Sequence, residues 1–255
     1  MYEETELKCM PFTLGIFRFY GVFPPKGTEL NPGVAFYLKF CLFAILSSLT
    51  LIGSLLHLIK TIQSGEDNYV DLDLTYVMSF STAYALIISF IMRIKASAKL
   101  YSFFSNFEEF GKPRDFDSDN KRFNTFAKLH FIYLECLIFL LLFLSNILKS
   151  DTCMLENEQY GLHEVCGLFT YTWMPFDIDF TPARQLYAVG QVFGGHYIYI
   201  LAGLLAWLVL ETMQHLIVRV RDVKYTFQEA FREKDTNQRT KKLKFAIKYH
   251  IAVLG

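Results

Sequence analysis

Charge is scarce in this sequence: Asp, Glu, Lys and Arg supply 20% of its 255 residues, where soluble domains carry about a quarter. The formal net charge is zero, and no basic cluster is interleaved with aromatics, so nothing points to a nucleic-acid partner. A secretory leader is also missing. Met1 to Lys8 (MYEETELK) is acidic where a signal peptide needs positive charge, and no short apolar run with a small-residue cleavage site follows. The first hydrophobic stretch is therefore expected to stay in the mature protein. No lipidation motif follows Met1, Gly255 closes no prenylation box, and no Asn-x-Ser/Thr glycosylation acceptor occurs.

Catalytic signatures are absent as well. The six histidines, His57, His130, His163, His196, His215 and His250, are scattered, and no two form a His-x-x-x-His or His-Glu-x-x-His ligand pair. There is no Gly-x-Ser-x-Gly elbow and no phosphate loop. His215 follows Glu211 by one turn, but solvated flanking at a span boundary is the simpler reading. An intramembrane metal-dependent hydrolase would need His and acidic residues clustered at membrane depth. The chain is expected to be no enzyme and to bind no metal or cofactor.

What the sequence does hold is apolar and aromatic. Hydrophobic residues reach 53%, aromatics 17% with 26 Phe and 15 Tyr, and mean hydropathy is +0.26. A bilayer core of about 30 Å takes roughly 20 apolar residues of helix, and four segments qualify. They are 36–59, 74–92, 129–148 (interrupted only by Glu135) and 186–210. The fold class expected is an all-α membrane bundle, organised as an arm (1–35), a transmembrane bundle (36–210) and an inner helical region (211–255).

Basic residues set the orientation. Twenty-one Lys and Arg fall in the arm, the second connection and the region after the fourth span. Only Lys149 and Arg184 lie in the long loop on the other side, with Lys60 at the boundary of the short one. The basic side, with the N-terminus and the last residues, is expected to be cytoplasmic, and the acidic loop holding Glu66, Asp67, Asp71 and Asp73 faces out. Of five cysteines, Cys9, Cys41 and Cys136 lie in the arm or in spans, while Cys153 and Cys166 share the second outer loop. That pair alone meets an oxidising compartment and is the candidate disulfide, the alternative being two free thiols.

Further along the chain, Phe23-Pro24-Pro25-Lys26-Gly27 breaks regular structure and lets a short amphipathic segment, Phe12 to Phe19, lie at the inner membrane surface. Beyond the fourth span Met213, Leu216, Val220, Val223, Phe227 and Ala230 keep a helical period. One helix from Leu186 to Glu233 is expected, with an apolar face that needs a second inner helix or another subunit. Leu243 to Gly255 opens a further amphipathic helix and stops in mid-pattern, so more chain is expected after it.

Several local motifs then carry a resemblance. Phe17-Arg18-Phe19-Tyr20-Gly21-Val22-Phe23-Pro24-Pro25 precedes the first span; Trp173-Met174-Pro175-Phe176-Asp177, Thr181-Pro182, Tyr187 and Gln191 lead into the fourth; Leu243, Ile247, His250 and Leu254 follow it. In order and spacing these resemble the insect odorant receptors, although Ala183-Arg184-Gln185 after Pro182 departs from the apolar or aromatic residue expected there. The gustatory-type receptors share the topology, and the motifs near Pro24 and Pro175 argue against them.

The resemblance implies a seven-span, N-terminus-inside chemoreceptor of which this chain would be the first four spans. It further implies a ligand-gated, non-selective cation channel, a hetero-tetramer with a coreceptor subunit, in the plasma membrane of a sensory-neuron dendrite among membrane lipid. A small volatile organic ligand would bind in the outer half of the bundle. Tyr76, Phe80 and Tyr84 recur every four residues there, Phe139 and Phe143 share the same spacing, and Tyr187, Gln191, His196 and Tyr197 head the fourth span. An aromatic cavity with a few polar groups suits such a ligand; the same residues could equally fill a core or an interfacial belt. Glu135 costs at least ~2.5 kcal/mol inside a span and is expected to pair with His130 or with another helix. Gly190, Gly194, Gly195 and Gly203 permit close helix approach.

Overall fold

The structure, a computed structural model, describes residues 7–64, 70–144, 153–155, 158–159, 165–166, 168, 170, 172–175 and 180–254. Seven long elements order it: α1 (Pro11–Phe19), α2 (Val34–Ser64), α3 (Val70–Met92), α4 (Ile94–Ser105), α5 (Phe116–Leu144), α6 (Ala183–Arg232) and α7 (Thr236–Leu254). No strand occurs among the described residues. Among the described residues four helices are long and apolar enough to cross a bilayer: α2, α3, α5 and α6. The sequence-derived spans fall within them, except that 145–148 lie outside the described residues. Glu66 and Asp67, in the loop expected to face outward, lie outside the described residues.

Local chemistry sets the boundaries. Pro11 opens α1, where a missing N–H costs nothing. Gly21 closes it at φ 71°, with Val22 N–H donating to the Phe17 carbonyl, the left-handed helix stop that glycine favours. Asp71 and Asp73 occupy the first turn of α3, and Asp117 and Asp119 that of α5, beside the positive helix ends. Between α3 and α4 a single residue, Arg93, leaves helical geometry.

The core wraps α6. Ile198, Leu201, Leu204, Leu205 and Leu208 are buried on it against Phe80, Ala83, Ile87 and Ile91 of α3 and Ile138 of α5. Small residues bring α2 against α6. A Cβ on Gly194 would come within 2.6 Å of Thr50 Oγ1 and 3.0 Å of Ser47 Cα, so the two helices approach closely. Gly190 plays no such part, because a Cβ there meets nothing within 4 Å.

One expectation changes. The segment around Phe12 to Phe19 is helical, but it does not simply rest on a membrane surface. Thr13, Leu14 and Phe17 are buried. Asn120 and Asn124 of α5 accept the N–H groups of Met10 and Phe12, and Thr13 donates to Glu211 Oε2 at 2.6 Å. Satisfying those α1 donors from α5 and bonding Glu211 ties α1 into the bundle.

At 50 residues α6 is about 75 Å long, far beyond a bilayer's thickness, so its second half stands clear of the apolar layer. There α7 folds back along it. Tyr249 stacks on Phe110 at 4.7 Å, and Val223 completes that small core. The apolar face after the fourth span thus finds its partner within the chain.

Candidate ligand site in the helix bundle

The candidate residues separate into groups once α6 is placed. Tyr197 is buried and stacks on Phe43 of α2 with centroids 5.2 Å apart and planes 2° from parallel. Tyr20, turned inward just before the Gly21 stop, meets Tyr197 edge-on at 5.8 Å and lies 6.0 Å from the His196 ring. Tyr84 reaches the same region from α3, donating to Ser47 Oγ at 2.5 Å. Phe19, Phe43, Leu46, Ser47, Phe193 and Gly194 surround a crevice of about 240 Å³ whose floor is Tyr20, His196 and Tyr197. Its chemistry is aromatic with one imidazole edge.

His196 joins three elements. Its Nδ1 is 3.4 Å from Tyr20 Oη, and its Nε2 lies 3.0 Å and 3.1 Å from the two Glu135 oxygens. Glu135 therefore pairs across to α6, and His130 is not its partner. His130 turns to the Gly203 carbonyl and stacks on Trp207 at 5.2 Å. A carboxylate in a span is costly alone; here the imidazole shares its field.

A second aromatic wall lies between α3 and α6. Tyr76 stacks on Phe80, and Phe80 meets Tyr199 edge-on at 5.9 Å. Gln191 turns toward the segment before α6, and Tyr187 toward α2. Gln191 Nε2 donates to Thr172 Oγ1 at 2.5 Å and Thr170 Oγ1 at 3.3 Å, and Tyr187 Oη to the Leu49 carbonyl. Phe139 and Phe143 stand away from both walls, 72% and 52% exposed on α5. Cys153 and Cys166 are joined by a disulfide with Cα atoms 5.6 Å apart.

Of the residues around the crevice, Phe19, Tyr20, Phe43, Leu46, Ser47, Phe193 and Gly194 are not among the sequence candidates, nor is Tyr199 in the second wall. Tyr199 follows Tyr197 by two residues, which puts it on another face of the helix. Tyr20 belongs to a segment with no span signal. The polar features do not assemble a metal centre: among the described residues no three His, Cys, Asp or Glu side chains are grouped to hold an ion. His215 and Glu211 diverge, His215 to the rings of Phe104 and Phe116 and Glu211 to Thr13.

Buried aromatics around one long helix, four helices apolar enough to cross a bilayer and a helical hairpin beyond them define an all-helical membrane-protein fold. In particular, it is the fold of the insect olfactory receptors. The structure of olfactory receptor OR5 from Machilis hrabei matches with a TM-score of 0.65 at 17% identity, over 94% of this chain and 61% of that one. The same receptor in complex with eugenol matches with a TM-score of 0.67 at 16% identity, over 96% and 61%. This chain thus spans 61% of the length of the receptor it resembles. No protein-family model matches the sequence, and no curated protein does. The structural neighbours are receptors, not enzymes.

Proposed function

We propose that this chain belongs to a chemoreceptor subunit that binds a small volatile molecule inside its helix bundle and helps gate a cation channel with a coreceptor. The observation that carries this reading is the likeness of nearly the whole backbone to an olfactory receptor, one form of which was solved with eugenol. The interior chemistry supports it. Apolar burial supplies affinity for a small ligand, and an imidazole or phenol edge supplies one directed hydrogen bond. The ligand contacts are Tyr20, Phe43, Tyr84, His196 and Tyr197 around the crevice, with Tyr76, Phe80 and Tyr199 as the second wall. The subunit sits in the plasma membrane of a sensory dendrite with its N-terminus in the cytoplasm, in a hetero-tetramer.

The test is electrophysiological. The complete subunit that contains this chain is co-expressed with a coreceptor and exposed to a panel of phenolic and terpenoid volatiles. A ligand-evoked cation current absent from coreceptor alone is the expected outcome. No current above that control, together with no ligand binding to the purified subunit, overturns the proposal.

A further inference from the structure

The crevice between α2 and α6 holds little polar chemistry, and most of that is already spent. Ser47 Oγ donates to the Phe43 carbonyl at 2.8 Å and accepts the Tyr84 hydroxyl. Tyr197 lines the crevice with ring carbons, because its Oη is buried out of reach. Phe19, Phe43, Leu46 and Phe193 add apolar surface alone. That leaves the Tyr20 hydroxyl and the His196 imidazole as the polar groups open to an occupant. At about 240 Å³ the crevice is smaller than the pockets that take drug-sized ligands, so it suits a single small molecule.

Glu135 decides what the imidazole presents. Its two oxygens lie 3.0 Å and 3.1 Å from Nε2, and a carboxylate only accepts, so Nε2 carries the ring proton. In the neutral ring Nδ1 then holds a lone pair. Tyr20 Oη faces that lone pair from 3.4 Å, well beyond the length of a strong O–H bond. The stretched pair suits a group that donates and accepts at one atom. An alcohol hydroxyl does both: it donates to Nδ1 and accepts the Tyr20 proton, one bond more than it displaces. A carbonyl only accepts. It can take the Tyr20 proton, but it leaves Nδ1 without a donor among apolar walls, where an unmade bond is costly. A hydrocarbon leaves the pair as it stands and gains nothing from it.

We propose that the crevice selects small apolar alcohols over aldehydes and ketones of the same skeleton, with His196 Nδ1 accepting the ligand's hydroxyl proton. The inference rests on the reading of this crevice as a ligand site and adds the class of ligand it prefers. Glu135 acts as a positioning residue: it touches His196, and it fixes which imidazole nitrogen is left to accept. Tyr20 completes the contact from the turn after α1, so the arm itself takes part in recognition.

The purified chain is titrated in phosphatidylcholine nanodiscs with benzyl alcohol, benzaldehyde and toluene, which share one skeleton. Saturation-transfer NMR reads occupancy against empty discs. Benzyl alcohol is expected to bind about five to ten times more tightly than benzaldehyde. Tyr20→Phe leaves Nδ1 in place and should keep that preference. His196→Phe, made together with Glu135→Ala so that no carboxylate stands alone in the span, should erase it while toluene still binds. In histidine labelled with nitrogen-15, the Nδ1 resonance that this variant removes should move with benzyl alcohol and stay in place with toluene. Equal affinity for the alcohol and the aldehyde overturns the inference, as does a preference that survives the loss of His196. Absence of saturable binding by all three overturns it too. The ligand-evoked current is read separately, so a current together with an alcohol-blind crevice counts against this inference and leaves the receptor reading standing.

Discussion

His196 Nε2 lies 3.0 Å from Glu135 Oε2, joining the first third of α6 to α5 with both side chains partly buried. Both groups are partly exposed, so their attraction is discounted for screening, and a coupling of about 1 kcal/mol is expected. Glu135→Gln should cost little, since an amide oxygen still accepts. Glu135→Ala should lower the melting temperature of the detergent-solubilised chain, and His196→Phe should relieve part of that loss. A thermal double-mutant cycle with zero coupling would show the pair to be incidental.

Arg219 is 1% exposed and has no carboxylate partner among its contacts. Its guanidinium donates to the carbonyls of Phe103, Phe104, Asn106 and Gly111 and to Tyr249 Oη, with the rings of Phe103 and Phe107 against it. The C-terminal carbonyls of α4 supply the negative field it needs. Arg219→Ala should destabilise the inner region by about 3 kcal/mol or more, because several buried acceptors lose their donor together. Arg219→Lys should not restore it, since a point charge cannot span that fork of acceptors. Tyr249→Phe removes one bond and should cost about 1 kcal/mol. Limited proteolysis of the α6–α7 connection reads all three.

His215 lies beyond the fourth expected span, packed between Phe104 and Phe116. Burial, helped by Arg219, lowers its pKa to about 4 from 6.5. The unfolded chain therefore takes up the proton first as pH falls. This contribution to stability is complete above pH 6.5 and is lost progressively as pH drops toward 4, the loss amounting to about 2 kcal/mol by pH 5. His215→Phe should flatten that part of the stability–pH curve and also remove an Nε2 that has no partner. Melting curves of both chains between pH 7.5 and 5 decide it; parallel curves would contradict the assignment.

Gly190 and Gly194 look equivalent in sequence and should behave differently. Gly194→Ala pushes a methyl group against Thr50 and the Ser47 backbone, which should cost about 1–3 kcal/mol by overpacking. Gly190→Ala meets open space and should be neutral or stabilising by up to about 1 kcal/mol, as helix propensity predicts. Thermal unfolding of the two variants side by side makes the comparison.

Within the proposed receptor, Tyr197→Ala should reduce the potency of an activating volatile by about tenfold or more, because it removes the ring that floors the crevice. Phe139→Ala, far from either aromatic wall, should leave potency unchanged. Dose–response curves in the co-expressed channel separate them. An equal loss in both would relocate the ligand.

Long-range pattern was the legible part. Hydropathy located the apolar stretches, and the 3.6-residue period beyond Leu210 announced a single continuous helix well before any contact was visible. Partner choice was not legible. Glu135 could be recognised as needing a partner, but nothing in one dimension singles out His196, 61 residues away on another helix, over His130, five residues away on α5. The candidate ligand residues show the same limit. Helical spacing puts Tyr76 and Phe80 on one face, where their rings stack and Phe80 is buried, while the identical spacing of Phe139 and Phe143 marks an exposed face. Which face turns inward depends on what each helix packs against, and that is a property of the assembled bundle. Tyr20 was hidden for another reason: its segment carries no span signal, and only the Gly21 stop turns it into the interior.

The uninterrupted course of α6 makes it a lever arm. Helices bend sharply at proline or at a disrupted ladder, and no proline occurs between Ala183 and Arg232. A tilt of about 3° pivoting where Gly194 meets α2 would carry the far end at Arg232, about 57 Å away, through about 3 Å. Because α7 is held against the second half of α6 through Tyr249 and Arg219, it would travel with it. A displacement too small to reshape the aromatic interior would thus arrive magnified at the far end of α6.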